Sequence, residues 1–260
     1  MKFNQASPQA MLLQNTIVPL DQNWTVTPVT LGQRLAKSFW FNYLEGDAEP
    51  IEIAYRVWLL RNSDILILVD TGPPVGEALT RGITEIKPID QSLRALSIEP
   101  QEIRHIVLTH LHWDHASSAD LFPNANFYAQ QEEIDFFTGD AWKNHATARF
   151  FSHRQMLQGL IDNGKVIPIN GDVCLCSGIR LIRVGGHTPG SQILTVQTAE
   201  GTAILTGDAI PLNKNYTEAI PTGILVDLME VINTRKRIRA LKPHCLFTGH
   251  DPVDRLILDH

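Results

Sequence analysis

The segment His110-Leu111-His112-Trp113-Asp114-His115 packs four metal-ligand side chains into six residues, and few backbones can use such a run. It follows an apolar stretch, Ile103 to Leu108, which reads as a buried strand ending at Thr109. In an extended backbone alternate side chains share a side, so His110 and His112 can grip one ion together. On a helix the pair would diverge by about 200° and could not chelate. The motif therefore belongs where a strand runs into a loop, with Asp114 and His115 past the turn and able to face a second ion. A polar loop with adventitious histidines is the alternative, and it leaves the leading strand unexplained.

Three further ligand candidates follow, each on a loop after an apolar stretch. His187 sits in Val184-Gly185-Gly186-His187-Thr188-Pro189-Gly190, after Ile179 to Val184. Asp208 sits in Thr206-Gly207-Asp208-Ala209, after Ala203 to Leu205. His250 sits in Thr248-Gly249-His250-Asp251, after Cys245 to Phe247. A glycine beside each lets the backbone turn sharply and come close to an ion. A single His or Asp after a strand is more often a cap or turn residue. Here the order and placement of all three agree with the first motif.

With these elements the chain resembles the metallo-β-lactamase superfamily: the His-x-His-x-Asp-His run at 110 to 115, then His187, Asp208 and His250. Asp70, in Val69-Asp70-Thr71-Gly72, matches an aspartate that the family places at a strand end beneath the metals. The likeness spans about Ile51 to Pro252. Within the superfamily the chain most resembles the N-acyl-homoserine-lactone lactonases, through Thr188-Pro189-Gly190-Ser191 and through Asp208-Ala209 followed by Asn215. The fold implied is an αββα sandwich, two mixed sheets with helices outside.

The resemblance implies two divalent ions, with His110, His112 and His187 on one, Asp114, His115 and His250 on the other, and Asp208 bridging them. Imidazole and carboxylate suit zinc, while Mn2+ or Fe2+ would accept the same set. Flavin-partnered di-iron relatives usually carry glutamate at the position of His112, which argues against redox work. Two ions about 3.5–4 Å apart can share a hydroxide at neutral pH. The reaction implied is attack of that hydroxide on an ester-like bond, most simply a lactone. Asp114 would hand a proton to the leaving oxygen, so Asp114 and Asp208 are the catalytic carboxylates.

One departure bears on the substrate. Lactonases of this branch place a tyrosine three residues after the bridging aspartate, and here that position is Pro211, which has no donor. Tyr216 is near in sequence. The carbonyl is then left to metal alone, to another donor, or the substrate is not an acyl-homoserine lactone. The alternatives are a thioester hydrolase of the glyoxalase II kind and a non-catalytic metal-bound scaffold. Glutathione would ask for basic residues near the pocket, and none is evident in the sequence. Degenerate scaffolds usually lose ligands, and this chain keeps all seven.

Composition sets limits. The 260 residues suffice for one large domain with a substantial core, and no linker divides them. A net charge of -6 suits a small-molecule substrate and not a nucleic acid. The basic cluster Arg235-Lys236-Arg237 with Arg239 lies in an expected helix from Val226 to Leu241 and reads as a solvated face. Cys174, Cys176 and Cys245 form no Cys-x-x-Cys pair and read as packing residues in a reducing, cytoplasmic setting. The apolar run Ala10 to Leu13 is too short for a signal peptide, and no later stretch approaches a membrane span.

Along the chain, Tyr55 to Leu60 and Ile65 to Val69 read as a hairpin, and Ile89 to Leu96 as a helix. Val166 to Ile169, Ile179 to Val184, Gln192 to Gln197 and Ala203 to Leu205 read as a second set of strands. Met1 to Thr30 has weak periodicity and reads as an arm packing on the domain or on a partner subunit, which leaves a homodimer open. The middle insert, Glu132 to Gly159, carries Phe136, Phe137, Trp142, Phe150 and Phe151 at helical spacing. Such spacing usually marks core. The functional alternative is a pocket wall, with Phe137, Trp142, Phe150 and the later Tyr216 as substrate contacts. His145 and His153 in the insert read as surface or rim residues.

Overall fold

The computed structural model describes residues 23–45, 49–140, 143 and 146–258. The first sheet takes β1 (Thr25–Lys37), β2 (Pro50–Arg61), β3 (Leu66–Val69), β4 (His105–Val107), β5 (Asn126–Gln130) and β6 (Val166–Ile169). The second takes β7 (Val173–Cys176), β8 (Ile179–Arg183), β9 (Gln192–Thr198), β10 (Gly201–Gly207), β11 (Cys245–Thr248) and β12 (Leu256–Ile257). Strands adjacent in sequence are adjacent in each sheet. Both sheets are mixed: β1 to β3 pair antiparallel and β3 to β6 parallel, while in the second only β10 and β11 run parallel.

Parallel neighbours need crossovers, and helices supply them. α1 (Val75–Thr80) and α2 (Ile89–Ala95) lie between β3 and β4, and the short α3 (Trp113–Ala116) between β4 and β5. α4 (Gln131–Thr138) and α5 (Arg154–Asp162) lead to β6, and α6 (Asn213–Thr217) and α7 (Leu228–Ala240) lead to β11. The Asp227 carboxylate caps α7 by accepting from the Glu230 N–H at 2.9 Å. No helix among the described residues is long and apolar enough to cross a membrane.

The period of two along each strand sorts side chains between three layers. Trp58, Leu60, Ile67, Val69 and Val107 point inward and meet Leu181, Leu194, Val196, Leu205 and Phe247 of the other sheet. Their neighbours Leu59, Leu68 and Ile106 point outward and pack with Ile89 and Leu93 of α2, one helical turn apart. On the far side Ile182, Ile193, Ile204 and Leu246 pack with Ile238 of α7. Strands buried on both faces read as continuous apolar runs, and these do. The αββα sandwich is the result.

Two readings of the sequence need correction. Val166–Ile169 joins the first sheet, parallel to β5, and not the second set of strands. The crossover through α4 and α5 carries it there, and apolar periodicity alone does not say which sheet a strand enters. The expected N-terminal arm overlaps β1, a 13-residue edge strand that begins at Thr25. Its pattern was weak because one face is solvated, and Pro28 is tolerated where an edge leaves a backbone N–H unneeded. Residues 1–22 of that expected arm lie outside the described residues.

In the middle insert Phe137 is fully buried against Phe151, with Leu157 in the same cluster, so it is core and not a pocket contact. Cys176 and Cys245 pack between the sheets as free thiols. Glu133, on the first turn of α4, is fully buried and braces two loops from opposite sheets. Its carboxylate accepts from the Leu111 N–H and from the Gly190 N–H, each at 3.0 Å. Glu133→Gln keeps the shape but turns an amide NH2 toward one of those donors. The expected cost is about 1–3 kcal/mol of unfolding free energy. Denaturant titration of the chelator-treated protein measures it, and a change within ~0.3 kcal/mol would remove the bracing role.

Candidate metal centre

The seven candidate ligands leave the C-terminal ends of strands and meet at one edge of the sandwich. β4 leads to His110 and His112 in extended backbone, and Asp114 and His115 lie on the single turn of α3. β8 leads to His187, β10 to Asp208 and β11 to His250. Gly207 has φ +47°, and a Cβ there would stand 2.8 Å from Thr109. A Cβ on Gly249 would stand 2.5 Å from Asp208 Oδ1, so a side chain at either position would push the loops apart.

Their donor atoms form three interlocking groups, His110–His112–His187, His110–His115–Asp208 and Asp114–His115–His250. His187 Nε2 lies 3.2 Å from His110 Nε2 and 2.9 Å from His112 Nδ1. Asp208 Oδ2 is 3.6 Å from His187 Nε2, while its Oδ1 is 3.3 Å from His115 Nε2 and 3.0 Å from His250 Nε2. Asp114 Oδ2 is 3.5 Å from His250 Nε2 and 3.8 Å from His115 Nε2. One carboxylate thus faces two histidine sets at once.

The outer nitrogens of four rings are occupied, and this orients the inner ones. His115 Nδ1 meets Asp70 Oδ2 at 2.7 Å, His110 Nδ1 meets Thr109 Oγ1 at 3.1 Å, His187 Nδ1 meets the Ile224 carbonyl at 2.7 Å and His250 Nδ1 meets the Ala54 carbonyl at 2.9 Å. A ring that donates from Nδ1 turns a lone pair on Nε2 inward. Asp70 is fully buried at the end of β3 with φ +63°, held by the Thr109 N–H at 2.7 Å and the Thr109 hydroxyl at 2.8 Å.

Burial lowers the pKa of His110, His112 and His187, with neighbouring imidazoles pushing the same way, so these three present lone pairs. Burial also acts to lower His115 and His250, but the carboxylates around them, Asp208 foremost, outweigh it and raise both. Those carboxylates make the field that a cation would meet.

The residues fit a pair of cations. His115 Nε2 and Asp208 Oδ1 are buried without a hydrogen-bond partner, although they lie 3.3 Å from each other. Two nitrogens bound tetrahedrally to zinc at about 2.0–2.1 Å lie roughly 3.3 Å apart, close to the 3.2 and 2.9 Å that separate His187 Nε2 from His110 Nε2 and His112 Nδ1. A cation held between them satisfies lone pairs converging at that distance.

Above the ligands opens a cleft of about 480 Å³, with His112, Asp114, Asp208 and His250 on its floor. Trp40, Phe41, Tyr55, Trp113 and Phe150 form aromatic walls, and the Phe150 ring lies 5.0 Å from that of His112. Of the residues read as substrate contacts, Phe150 lines the cleft. Tyr216 does not: it is buried with Ile210 and Ile238, under the Arg235 guanidinium. Trp142 and His145 lie outside the described residues. His153, read as a rim residue, has both ring nitrogens buried, and burial draws its pKa down to about 4. Arg235 and Arg237 of the basic cluster are engaged, by the Tyr216 carbonyl and by Asp172.

Apart from Phe150, the walls carried no signal in the sequence. Arg34, Arg81 and Arg149 line the cleft, contrary to the expectation that no basic residue would stand near it. They come from β1, the turn after α1 and the 3-10 turn Ala146–Phe150, segments without a shared motif. Tyr55, in the middle of β2, carried no signal beyond strand propensity.

A family model described as the metallo-beta-lactamase superfamily matches residues 54–250. An N-acyl homoserine lactonase of a Bacillus species is 27% identical over 220 residues, covering 78% of this chain and 83% of that protein. A solved quorum-quenching N-acyl homoserine lactone lactonase superposes with a TM-score of 0.72 at 24% identity, over 87% of this chain and 92% of its own. AidC, a dizinc quorum-quenching lactonase solved with a product, superposes with a TM-score of 0.74 at 19% identity, over 92% of each chain.

Seven donors in two sets joined by Asp208 lead to an expected content of about two ions per chain, read by elemental analysis after gentle purification. One ion or none, after resupply with zinc or manganese, would rule the paired centre out. Asp208→Ala is expected to lose at least one ion and to cut any hydrolytic rate by about 10²-fold or more. Normal metal content in that variant would remove the bridging assignment.

Proposed function

The chain belongs to the metallo-β-lactamase superfamily, and from that premise we propose that it is a dinuclear metal-dependent hydrolase of an ester-like bond, with a lactone of the N-acyl-homoserine kind as the leading substrate. The observation that carries the reading is the Asp208 carboxylate, facing both histidine sets at the floor of an aromatic cleft. The similarity to lactonases supports the choice of bond. Two zinc ions held there would polarise a carbonyl and lower the pKa of a bound water toward neutrality. The buried thiols Cys176 and Cys245 fit a reducing, cytoplasmic setting.

The chain's own residues supply the rest. Asp114 lines the cleft beside His250 and His115, where its carboxylate can take up a proton and pass it to a leaving alkoxide. Pro211 offers no donor, and its carbonyl is occupied by the His250 N–H at 2.7 Å. Tyr55 supplies the missing one. Its ring centroid is 5.2 Å from that of His250, and among the described residues its hydroxyl has no hydrogen-bond partner. Burial, then the Asp114 charge, pushes its pKa up, so the phenol keeps the proton that it must donate to a carbonyl oxygen. Trp40, Phe41 and Phe150 then exclude water and take the apolar part of the substrate.

A thioester hydrolase of the glyoxalase II kind is the second reading, and the three cleft arginines favour it because such a substrate carries carboxylates. A pH-indicator assay over short and long acyl-homoserine lactones, simple lactones and a glutathione thioester separates the two. Ring opening of a lactone is the expected result. Turnover of the thioester alone would replace the lactonase reading, and silence on the whole panel from metal-loaded protein would sink the hydrolase. Tyr55→Phe is expected to lower kcat by about 10- to 100-fold with metal content intact, and Tyr216→Phe by less than about tenfold. A Tyr55→Phe variant within about twofold of wild type would end the donor role.

A further inference from the structure

Each of the three cleft arginines rests on an aromatic ring of the wall. The Arg34 guanidinium carbon lies 5.3 Å from the Trp40 ring centroid and 5.7 Å from that of Tyr55. That of Arg81 lies 4.3 Å over Trp113, and that of Arg149 lies 5.3 Å over Phe150. A ring beneath a guanidinium holds the plane flat and leaves the N–H edge free for an in-plane oxyanion.

The three differ in what neutralises them. Arg81 is paired with Glu77 at 2.7 Å, and elsewhere Arg56, Arg94, Arg183 and Arg237 also have carboxylate partners. Arg34 has none among the described residues: its Nη1 donates to the Arg81 carbonyl at 2.7 Å, and its Nε is buried without a partner. Arg149 likewise meets no carboxylate among the described residues. The acidic groups on the cleft floor, Asp114 and Asp208, are committed to histidines. Arg149 is exposed, whereas Arg34 is half-buried, and its unmet N–H is costly unless a ligand supplies the acceptor.

We propose that Arg34, with Arg149, forms a subsite for an oxyanion carried by the substrate away from the bond that breaks. This rests on the reading of the site as an ester hydrolase. Within that class, a lactone, ester or thioester bearing a carboxylate or phosphate would then bind more tightly than its neutral counterpart, seated between the aromatic walls. A neutral acyl-homoserine lactone leaves both guanidiniums without a counter-charge. Arg81, neutralised by Glu77, contributes its carbonyl to hold Arg34 in place.

The test uses matched phenyl esters of straight-chain acids whose far end is a carboxylate, a phosphate or a neutral amide, over several chain lengths. Metal-loaded protein should prefer the better oxyanion over the amide by about tenfold or more in kcat/KM, mostly through KM. The preference should shrink with added salt. Arg34→Gln should bring the ratio close to one, Arg34→Lys should restore part of it, and Arg149→Gln should lower it less. Calorimetry with a terminal dicarboxylate and its mono-amide gives a readout that needs no turnover. The dicarboxylate should bind at least about tenfold more tightly, and Arg34→Gln should abolish the difference.

Should Arg34→Gln fail to fold, Arg149→Gln and Arg34→Lys carry the same comparison. Equal rates and equal binding for charged and neutral members would overturn the subsite and leave the hydrolase standing. Tight dicarboxylate binding that depends on Arg34, in protein that cleaves no ester, would support the subsite and sink the hydrolase reading.

Discussion

A single buried carboxylate organises the ligand edge of this molecule. Asp70 sits at the end of β3, wholly removed from solvent, in a left-handed conformation that an aspartate adopts at some cost. Bare, such a charge would be intolerable. Three donors converge on it: the Thr109 N–H, the Thr109 hydroxyl and His115 Nδ1. The first two pin the residue that precedes His110, and the third sets the ring orientation of His115. Strain at one backbone position is thereby exchanged for order at two ligands, and the neighbouring Asp70 N–H joins the Val107 carbonyl to keep β3 and β4 in step.

The same logic recurs between the sheets. The first sheet supplies His110 to His115 and the second supplies His187, Asp208 and His250, so no ligand set belongs to one half of the sandwich. The inner apolar layer brings the halves together without direction. Direction comes from polar braces at the rim, where Glu133 ties the Leu111 and Gly190 loops and the Gln192 side chain reaches the Leu108 and Tyr128 carbonyls. Buried polar groups that are fully paired specify one docking geometry among the many that hydrophobic packing would allow.

Legibility followed the range of the interactions involved. The seven candidate ligands could be read because donor type, a preceding strand and a nearby glycine are all local signals, and the structure brings the seven together. The layered fold was legible for the same reason. Which sheet receives Val166–Ile169 was not, since that depends on where α4 and α5 deliver the chain. Phe137 and Phe150 share the insert and the same chemistry, yet one is core and the other faces the cleft. Helical spacing cannot separate them, because Phe137 lies on α4 while Phe150 ends the separate 3-10 turn Ala146–Phe150. The cleft arginines and Tyr55 come from segments far apart in sequence, and only tertiary packing makes them neighbours.

His250 and Tyr55 have a relation that reaches past geometry. The Ala54 N–H donates to the His250 carbonyl, and His250 Nδ1 returns a hydrogen bond to the Ala54 carbonyl, both at 2.9 Å. Residue 54 is the backbone immediately before the cleft tyrosine. A substrate that displaces β2 must therefore shift the ring that would hold the second cation, and a cation that tightens this ring must stiffen β2. Were cleft occupancy to move this backbone, it and the affinity for an ion at His250 would be linked equilibria, each changing the other by the same factor.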